Sequence, residues 1–207
     1  MSLTLPISSP ETPLARNSPP TKRDRLERIV TGAARLFRDR GYESTSINDL
    51  AAELEISVGG LYRYITTKSD LLVMVCEDIY GDLPEVLAAV AARPGAAKPR
   101  LVNLVHTYLE SCVAHRALIL LMYREYRHLP KEAQARFIER EHNIAELVAT
   151  SIAAAIAAGE FVAADPWLLA RNIVLLGHLP ALKSWEVREA GLTHAEIVDA
   201  QLAMLFE

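Results

Sequence analysis

Residues 45–72 read TSINDLAAELEISVGGLYRYITTKSDLL, a stretch with several helix starts in close succession. Ser46 with Asp49, and Thr67 with Asp70, have the spacing of capping boxes. In a capping box the hydroxyl accepts a hydrogen bond from a backbone N–H, and the acidic side chain three residues later accepts one in return. The sequence therefore predicts one helix that starts at Ser46 and another that starts at Thr67.

Between these two starts the sequence has the spacing of a helix-turn-helix motif. Ser57 is a further N-cap candidate, so we predict short helices over 46–54 and 57–63, separated by a turn of three or four residues. In this motif the second helix enters the major groove of DNA. Gly59 and Gly60 at its start would let the backbone approach DNA closely.

The segment before the motif completes a small three-helix bundle. Apolar residues recur at helical spacing over 22–40, and Gly41 ends the predicted helix. Residues 16–40 carry eight lysines and arginines against three acidic residues, although the whole chain has a net charge of −4. A basic head on an acidic body suits a protein that contacts phosphate at one end.

The remaining sequence predicts helices throughout, about nine in the whole chain, and no strand. Gly81 and Pro84 interrupt or kink the helix that starts at Thr67, and Pro94, Gly95 and Pro99 predict a loop. The later predicted helices cover 101–112, 116–127, 131–158, 167–187 and 193–206. We expect a disordered arm over 1–20, a DNA-binding domain over 21–68 and a ligand-binding and dimerisation domain over 69–207.

Several classes of protein receive no support from the sequence. No apolar run is long enough for a membrane span and the N-terminus is not typical of a secretory signal, so we expect a cytoplasmic protein. Cys76 and Cys112 form no CxxC pair, and the six histidines have no HxxxH or HExxH spacing, so we expect neither a metal nor a cofactor. No catalytic constellation is present, so an enzyme is the least favoured alternative.

Residues 26–72 closely resemble the TetR family of transcriptional regulators. The resemblance is carried by the following residues: Ile29, Ala33, Ala34, Leu36, Phe37, Gly41, Tyr42, Thr45, Ser46, Ile47, Asp49, Leu50, Ala51, Ser57, Gly59, Leu61, Tyr62, Tyr64, Lys68, Leu71 and Leu72. It implies an all-α homodimer with an N-terminal helix-turn-helix domain, and a C-terminal domain that holds a small ligand and the dimer interface.

The resemblance also implies roles for individual residues of the motif. The set that we expect to contact DNA is Thr45, Ser46, Asn48, Ser57, Val58, Gly59, Gly60, Tyr62, Arg63, Tyr64 and Lys68. Within it, Thr45 and Ser46 match phosphate contacts and caps, and Asn48, Val58 and Gly60 match base-reading positions. Tyr62, Tyr64 and Lys68 match phosphate clamps. Because Val58 and Gly60 lack hydrogen-bonding side chains, direct readout falls on Asn48 and Arg63.

Two positions depart from the family pattern. Glu55 stands where the family usually has glycine at the turn, and Ile65 replaces the usual aromatic residue. A non-glycine residue with positive φ is uncommon, so the geometry of the turn is the point that a structure must decide.

The C-terminal half predicts an apolar ligand pocket with a few polar groups. Seven residues interrupt its aliphatic surface and are the candidate ligand contacts: Tyr108, Arg124, Tyr126, Arg171, Asn172, His178 and Trp185. An arginine would favour a carboxylate or phosphate end of the ligand. Each polar group, taken singly, is equally compatible with pairing to Glu125, to Glu141 or to another group of the set.

The stretch 123–130, YREYRHLP, is loosely similar to the branch of TetR regulators that respond to fatty acids or acyl-CoA thioesters. The sequence as a whole predicts a ligand-responsive repressor that dimerises through 167–187 and 193–206 and binds a palindromic operator. The alternative is a helical scaffold whose helix-turn-helix has lost its affinity for DNA.

Overall fold

Backbone hydrogen bonding in this protein is helical throughout the part of the chain that is described. A computed structural model describes residues 21–162 and 164–206, which form eleven α-helices and one 3-10 helix, with no strand among them. The all-α prediction is confirmed. The predicted disordered arm over 1–20 lies outside the described residues.

The helices differ widely in length, from four to 27 residues. In chain order they are α1 Lys22–Arg40, α2 Ile47–Glu53, α3 Val58–Leu61, α4 Lys68–Glu77, α5 Leu83–Ala91, α6 Ala97–Ala114, α7 Arg116–Glu125, the 3-10 helix η1 Tyr126–His128, α8 Lys131–Ala157, α9 Pro166–Leu182, α10 Ser184–Ala190 and α11 His194–Phe206.

The first three helices form a small unit, hereafter the head. Its interior consists of fully or nearly fully buried apolar side chains: Ile29, Ala33, Leu36, Phe37, Leu50, Leu61 and Ile65. The capping boxes at Ser46 and Thr67 are both present, which confirms those two helix starts. Thr21 with Asp24 forms a third capping box at the start of α1. Since α4 packs against α1, the head is joined to the rest through a shared helix interface.

Helices α5–α11 form the second unit, hereafter the body. Helices α6, α8 and α9 pack against one another, α5 covers α6 and α8, and α11 lies on α6. Close approach of α6 and α9 depends on Gly177, where an added Cβ would lie 2.6 Å from Tyr108 Cε1 and 2.9 Å from Cys112 Sγ. Helix α7 contacts α1, α4 and α9, so it connects the head with the body.

The predicted single helix over 167–187 is wrong. Helix α9 ends at Leu182 and the separate α10 begins at Ser184, because Lys183 leaves the helical backbone conformation. Pro180 lies inside α9 and has no N–H to donate to the carbonyl of Leu176, four residues earlier. Gln201 of α11 supplies the missing donor, since its Nε2 lies 2.9 Å from Leu176 O.

The prediction of about nine helices is also low because the segment after Thr67 is two helices. Helix α4 ends at Glu77, and α5 starts at Leu83 with Pro84 in its first turn, so the predicted interruption at Gly81 and Pro84 is confirmed. The loop predicted at Pro99 is wrong. That residue lies in the first turn of α6, where a backbone N–H has no acceptor inside the helix and proline is tolerated.

Candidate DNA interface and buried polar cluster

The turn between α2 and α3 keeps a left-handed residue even without glycine. Glu55 has φ +54°, and no other non-glycine residue among those described has a positive φ. This conformation lets the Ile56 N–H donate to Ala51 O at 3.0 Å, which closes the turn. An L-residue pays about 1 kcal/mol for that backbone conformation. The departure at Glu55 therefore leaves the helix-turn-helix geometry intact.

Four of the predicted DNA-contacting residues have side chains or backbone open to solvent on α2 and α3. Asn48, Gly59, Tyr62 and Arg63 are exposed, and nothing lies within 4 Å of a Cβ added at Gly59. Their exposure is compatible with contact to another molecule, because the interior of the head is complete without them. The helix that they flank, α3, is shorter than the predicted 57–63 and covers only Val58–Leu61.

Two predicted phosphate contacts serve as helix caps. Ser46 Oγ accepts a hydrogen bond from the Asp49 N–H at 3.1 Å, and Ser57 Oγ accepts one from the Gly60 N–H at 3.0 Å. Both serines remain exposed. A Cβ added at Gly60 would lie 3.1 Å from Ser57 Oγ, so glycine at this position avoids a close contact with the capping hydroxyl. Val58, Gly60 and Tyr64 are half-buried.

Thr45 is a correction to the predicted interface. Its side chain is fully buried, and Oγ1 donates to Gly41 O at 2.8 Å. The predicted contact between the Thr45 hydroxyl and phosphate is therefore wrong, since the hydroxyl is shielded and bonded within the turn between α1 and α2. The sequence did not reveal this because the buried threonine stands beside the capping Ser46.

Lys68 is mainly engaged inside the head. Its ammonium group donates to Tyr42 O at 2.9 Å and to Thr45 O at 3.0 Å, and it lies 4.2 Å from the centre of the Tyr42 ring. An ammonium has three N–H donors. One donor is therefore available for a phosphate, and the other two hold the segment 42–45 against the start of α4.

Of the seven predicted ligand contacts, the structure brings together only Tyr108 and His178. The Tyr108 hydroxyl donates to Val174 O at 2.9 Å and lies 3.3 Å from His178 Nε2. Tyr123 Oη lies 3.0 Å from His178 Nδ1. Burial lowers the pKa of His178 to about 4, so the imidazole is neutral at pH 7. We assign the proton to Nε2, which donates to Tyr108, and Nδ1 accepts from Tyr123.

The other five predicted ligand contacts do not converge on this site. Arg171 pairs with Glu146 at 2.9 Å, Asn172 is exposed on α9, and Trp185 is 53% exposed on α10. Arg124 is exposed near Gly41 of the head, and Tyr126 is half-buried with its ring against Phe137. The prediction of one pocket lined by all seven residues is wrong, because helical spacing does not fix which faces of distant helices meet.

Sequence reasoning did not place four other polar residues beside Tyr108 and His178. Glu141 Oε1 lies 3.7 Å from His178 Nδ1, and burial raises the pKa of the Glu141 carboxyl. Tyr80 lies near the same group, since the Glu141 carboxylate raises the pKa of the Tyr80 hydroxyl. We call Tyr80, Tyr108, Cys112, Tyr123, Glu141 and His178 the polar cluster. Its members come from four helices and one turn, so no sequence spacing signals it.

Comparison with known proteins decides the family. Residues 29–75 match the model for bacterial regulatory proteins of the tetR family, and residues 94–207 match the tetracyclin repressor-like C-terminal domain. The chain belongs to the TetR family. It is therefore a transcriptional regulator with an N-terminal helix-turn-helix, which confirms the fold and the family inferred from residues 26–72.

Individual relatives of this TetR-family regulator are distant in sequence. It is 27% identical over 184 residues to the HTH-type transcriptional regulator HbdR of Aromatoleum sp. strain CIB, a match that covers 89% of this chain and 80% of HbdR. The structure of AibR with isovaleryl coenzyme A and operator DNA superposes with a TM-score of 0.72 at 22% identity, covering 88% of this chain and 98% of AibR. FadR of Bacillus subtilis with stearoyl-CoA gives 0.69 at 16% identity, covering 87% and 97%. The two structural matches establish the fold alone.

No helix among the described residues is long and apolar enough to cross a membrane. Within the same ranges, no three histidine, cysteine, aspartate or glutamate side chains group in a way that could hold a metal ion.

Proposed function

We propose that this regulator is a cytoplasmic, dimeric repressor that binds a palindromic operator and is released by a small apolar effector, a fatty acid or an acyl-CoA. The observation that carries the proposal is the exposed surface of α2 and α3. Four residues of the motif are exposed to solvent: Asn48, Gly59, Tyr62 and Arg63. The turn between α2 and α3 keeps its left-handed residue, Glu55. Phosphate contacts from Tyr62 and Lys68 would position the head, and Asn48 and Arg63 would read bases.

Dimerisation is proposed to bury an apolar stripe on the body. Leu168, Leu175 and Leu179 are exposed on one face of α9, and Asn172 lies between them. Met204 on α11 is 68% exposed, and α11 is fastened to α9 through Gln201. Two copies of α9 and α11 would form a four-helix bundle across a two-fold axis. Such a dimer would set two heads about 34–36 Å apart, the spacing of successive major grooves.

The proposed division of labour follows the two units, with a DNA-binding domain over 21–68 and a ligand-binding and dimerisation domain over 69–207. Helix α4 packs against α1 and links the two, so it is the natural lever between them. A second connection runs through η1. His128 Nδ1 lies 3.0 Å from Glu43 Oε1, and the His128 ring packs on Tyr42 of the head.

The effector proposal has two supports. The body has an apolar core with the polar cluster in it, and small-molecule sites are lined mostly by apolar side chains with a few polar groups. AibR and FadR, which share the fold, have been crystallised with acyl-CoA molecules. The effector would release DNA by binding one arrangement of the two heads more tightly than the other, since only differential affinity shifts such an equilibrium.

Operator binding is tested by fluorescence anisotropy with DNA from upstream of the protein's own gene, at several salt concentrations. We expect Tyr62→Phe and Lys68→Ala to weaken binding to operator and to unrelated DNA by similar factors, because phosphate contacts carry little sequence information. Arg93→Ala is the matched control for charge, since Arg93 is exposed in the loop before α6, outside the head. Absence of salt-dependent binding of the wild-type protein to this DNA would favour the scaffold alternative.

A further inference from the structure

Tyr80, in the turn between α4 and α5, has a hydroxyl group without a hydrogen-bond partner. The residue is only 5% exposed, its hydroxyl oxygen is shielded from solvent, and its ring packs against Phe137 at 5.4 Å. A buried hydroxyl without a partner is costly and uncommon in native proteins. A bound molecule that accepts a hydrogen bond from Tyr80 would remove that cost.

No member of the neighbouring cluster, the Glu141 carboxylate included, accepts a hydrogen bond from Tyr80. Tyr108 is bonded to Val174 O and to His178, and the second imidazole nitrogen is bonded to Tyr123. Burial and the nearby Glu141 carboxylate raise the pKa of the Tyr80 hydroxyl far above its ordinary value. The hydroxyl therefore stays protonated and acts as a hydrogen-bond donor.

The charge around Tyr80 disfavours an anionic ligand. Tyr80 lines an open groove of about 360 Å³ between the turn and α6, and Asp78, Asp82 and Glu110 also line that groove. Glu141 raises the pKa of the Tyr80 hydroxyl, and Arg140 lowers it to a smaller extent. His178 is neutral, and His115 also lines the groove. A free carboxylate placed beside Tyr80 would therefore meet more acidic than basic side chains, which is unfavourable.

We propose that the Tyr80 hydroxyl donates a hydrogen bond to a carbonyl oxygen of the effector, and that the effector is uncharged at this point. This inference rests on the proposed function and sharpens it, because it selects an acyl thioester or ester over the free fatty acid. The groove that Tyr80 lines would receive the effector, with the apolar side chains of Leu83 and Val86 beside its acyl chain.

The test uses purified full-length protein and five probes with the same dodecanoyl or dodecyl chain: dodecanoate, methyl dodecanoate, an S-methyl thioester, dodecanoyl-CoA, and dodecyl methyl ether, which has no carbonyl. Thermal shift and calorimetry measure their binding. We expect the ester and the thioesters to bind, and the ether and the carboxylate to bind on the order of tenfold more weakly, the loss of about one hydrogen bond.

The deciding variant is Tyr80→Phe, which keeps the ring and removes only the oxygen. It should lose on the order of tenfold in affinity for the ester and thioesters and nothing for the ether. Its free form should be at least as stable as the wild type, because the unpartnered hydroxyl is gone. Tyr126→Phe is the matched control, since that ring packs on the same Phe137, and we expect it to bind all probes as the wild type does.

Three results would overturn the proposal: equal ester affinities for Tyr80→Phe and the wild type, a carboxylate that binds as tightly as the ester, or no binding by any probe. Operator binding without probe is measured in parallel for each variant and should not change. Failure of the wild type to bind operator would contradict the proposed function while leaving the probe affinities, and hence the assignment of Tyr80, intact.

Discussion

The head and the body place their polar side chains in opposite ways. In the head, Ser46, Ser57 and Thr67 cap helices at the surface, and the candidate DNA contacts are exposed beside them. In the body, Tyr108 and His178 are buried and bonded to each other across two helices. The difference teaches that local sequence places the polar groups of the head at its surface, whereas long-range packing places those of the body in its interior.

The largest effect is expected from disrupting the proposed dimer in the body, because each intact head would then bind DNA without its partner. We expect Leu175→Arg combined with Leu179→Arg to give a folded monomer, because both leucines are exposed. Its operator affinity should fall by at least about a hundredfold, since the second half-site no longer binds as part of the same molecule. Sedimentation and anisotropy measure the two effects.

The matched control for this variant is Val86→Arg combined with Ile138→Arg, two exposed apolar residues on α5 and α8. It should remain dimeric and bind operator normally. A double Leu175 and Leu179 variant that sediments as a dimer would place the interface elsewhere.

Acid should loosen the body before the head. Burial lowers the pKa of His178 from 6.5 to about 4, so the unfolded chain binds a proton that the folded chain refuses. Its contribution to stability is complete above about pH 6.5 and is lost as the pH falls towards 4, up to about 3 kcal/mol. The raised pKa of Glu141 acts in the opposite direction and offsets part of this loss.

Urea denaturation at pH 7 and pH 5 checks the acid prediction. His178→Gln should flatten the pH dependence in this window. The head contributes nothing there, because the lowered pKa values of Asp24, Asp49 and Asp70 make their stabilisation disappear only below about their ordinary 3.8. An unchanged slope in His178→Gln would show that another group titrates.

Asn48 tests whether the head reads bases. We expect Asn48→Ala to leave stability unchanged, because the residue is exposed, and to reduce discrimination at one base position by about 1–3 kcal/mol. Binding to a library of operator variants measures this. An equal loss of affinity for all operator variants would indicate that Asn48 contacts phosphate, as is proposed for Tyr62.

The smallest effect is expected from adding a single methyl group to α3, at Gly59 or at Gly60. Gly59→Ala has open space in the free protein, so it should fold normally and weaken operator binding about fivefold through its contact with DNA. Gly60→Ala is the contrasting control, since its Cβ presses on the Ser57 cap, and we expect it to lower thermal stability as well. Unchanged operator binding by Gly59→Ala would indicate that α3 does not contact the DNA groove at this residue.

Sequence predicted most of the head because its signals are local. The capping boxes at Ser46 and Thr67 lie within four residues, whereas the left-handed conformation of Glu55, where the family usually has glycine, was decided only by the structure. The burial of Thr45 escaped prediction because it depends on how α1 meets α2. In the body, helix caps such as Asp165 and the reciprocal bonds of Thr193 with Glu196 were equally predictable.

The polar cluster could not be predicted in the same way. Tyr80, Tyr123 and Glu141 meet only after three separate elements pack, and no spacing along the chain records that meeting. Arg124 and Arg171 were predicted to contact the ligand because of their charge. In the structure Arg124 is exposed and Arg171 pairs with Glu146, so neither lies in the polar cluster. Helix existence is a local property, and the direction of each helix face is a property of the whole fold.

The proline within α9 has a consequence for how this sequence evolves. Pro180 leaves the Leu176 carbonyl without its helical donor, and Gln201, 25 residues further along than Leu176, donates to it instead. The residues at positions 180 and 201 therefore depend on each other. A descendant that replaces Pro180 regains the N–H and frees position 201 to change, whereas one that loses the glutamine first exposes a vacant carbonyl. We expect substitutions at 180 to precede those at 201 along any lineage of this chain.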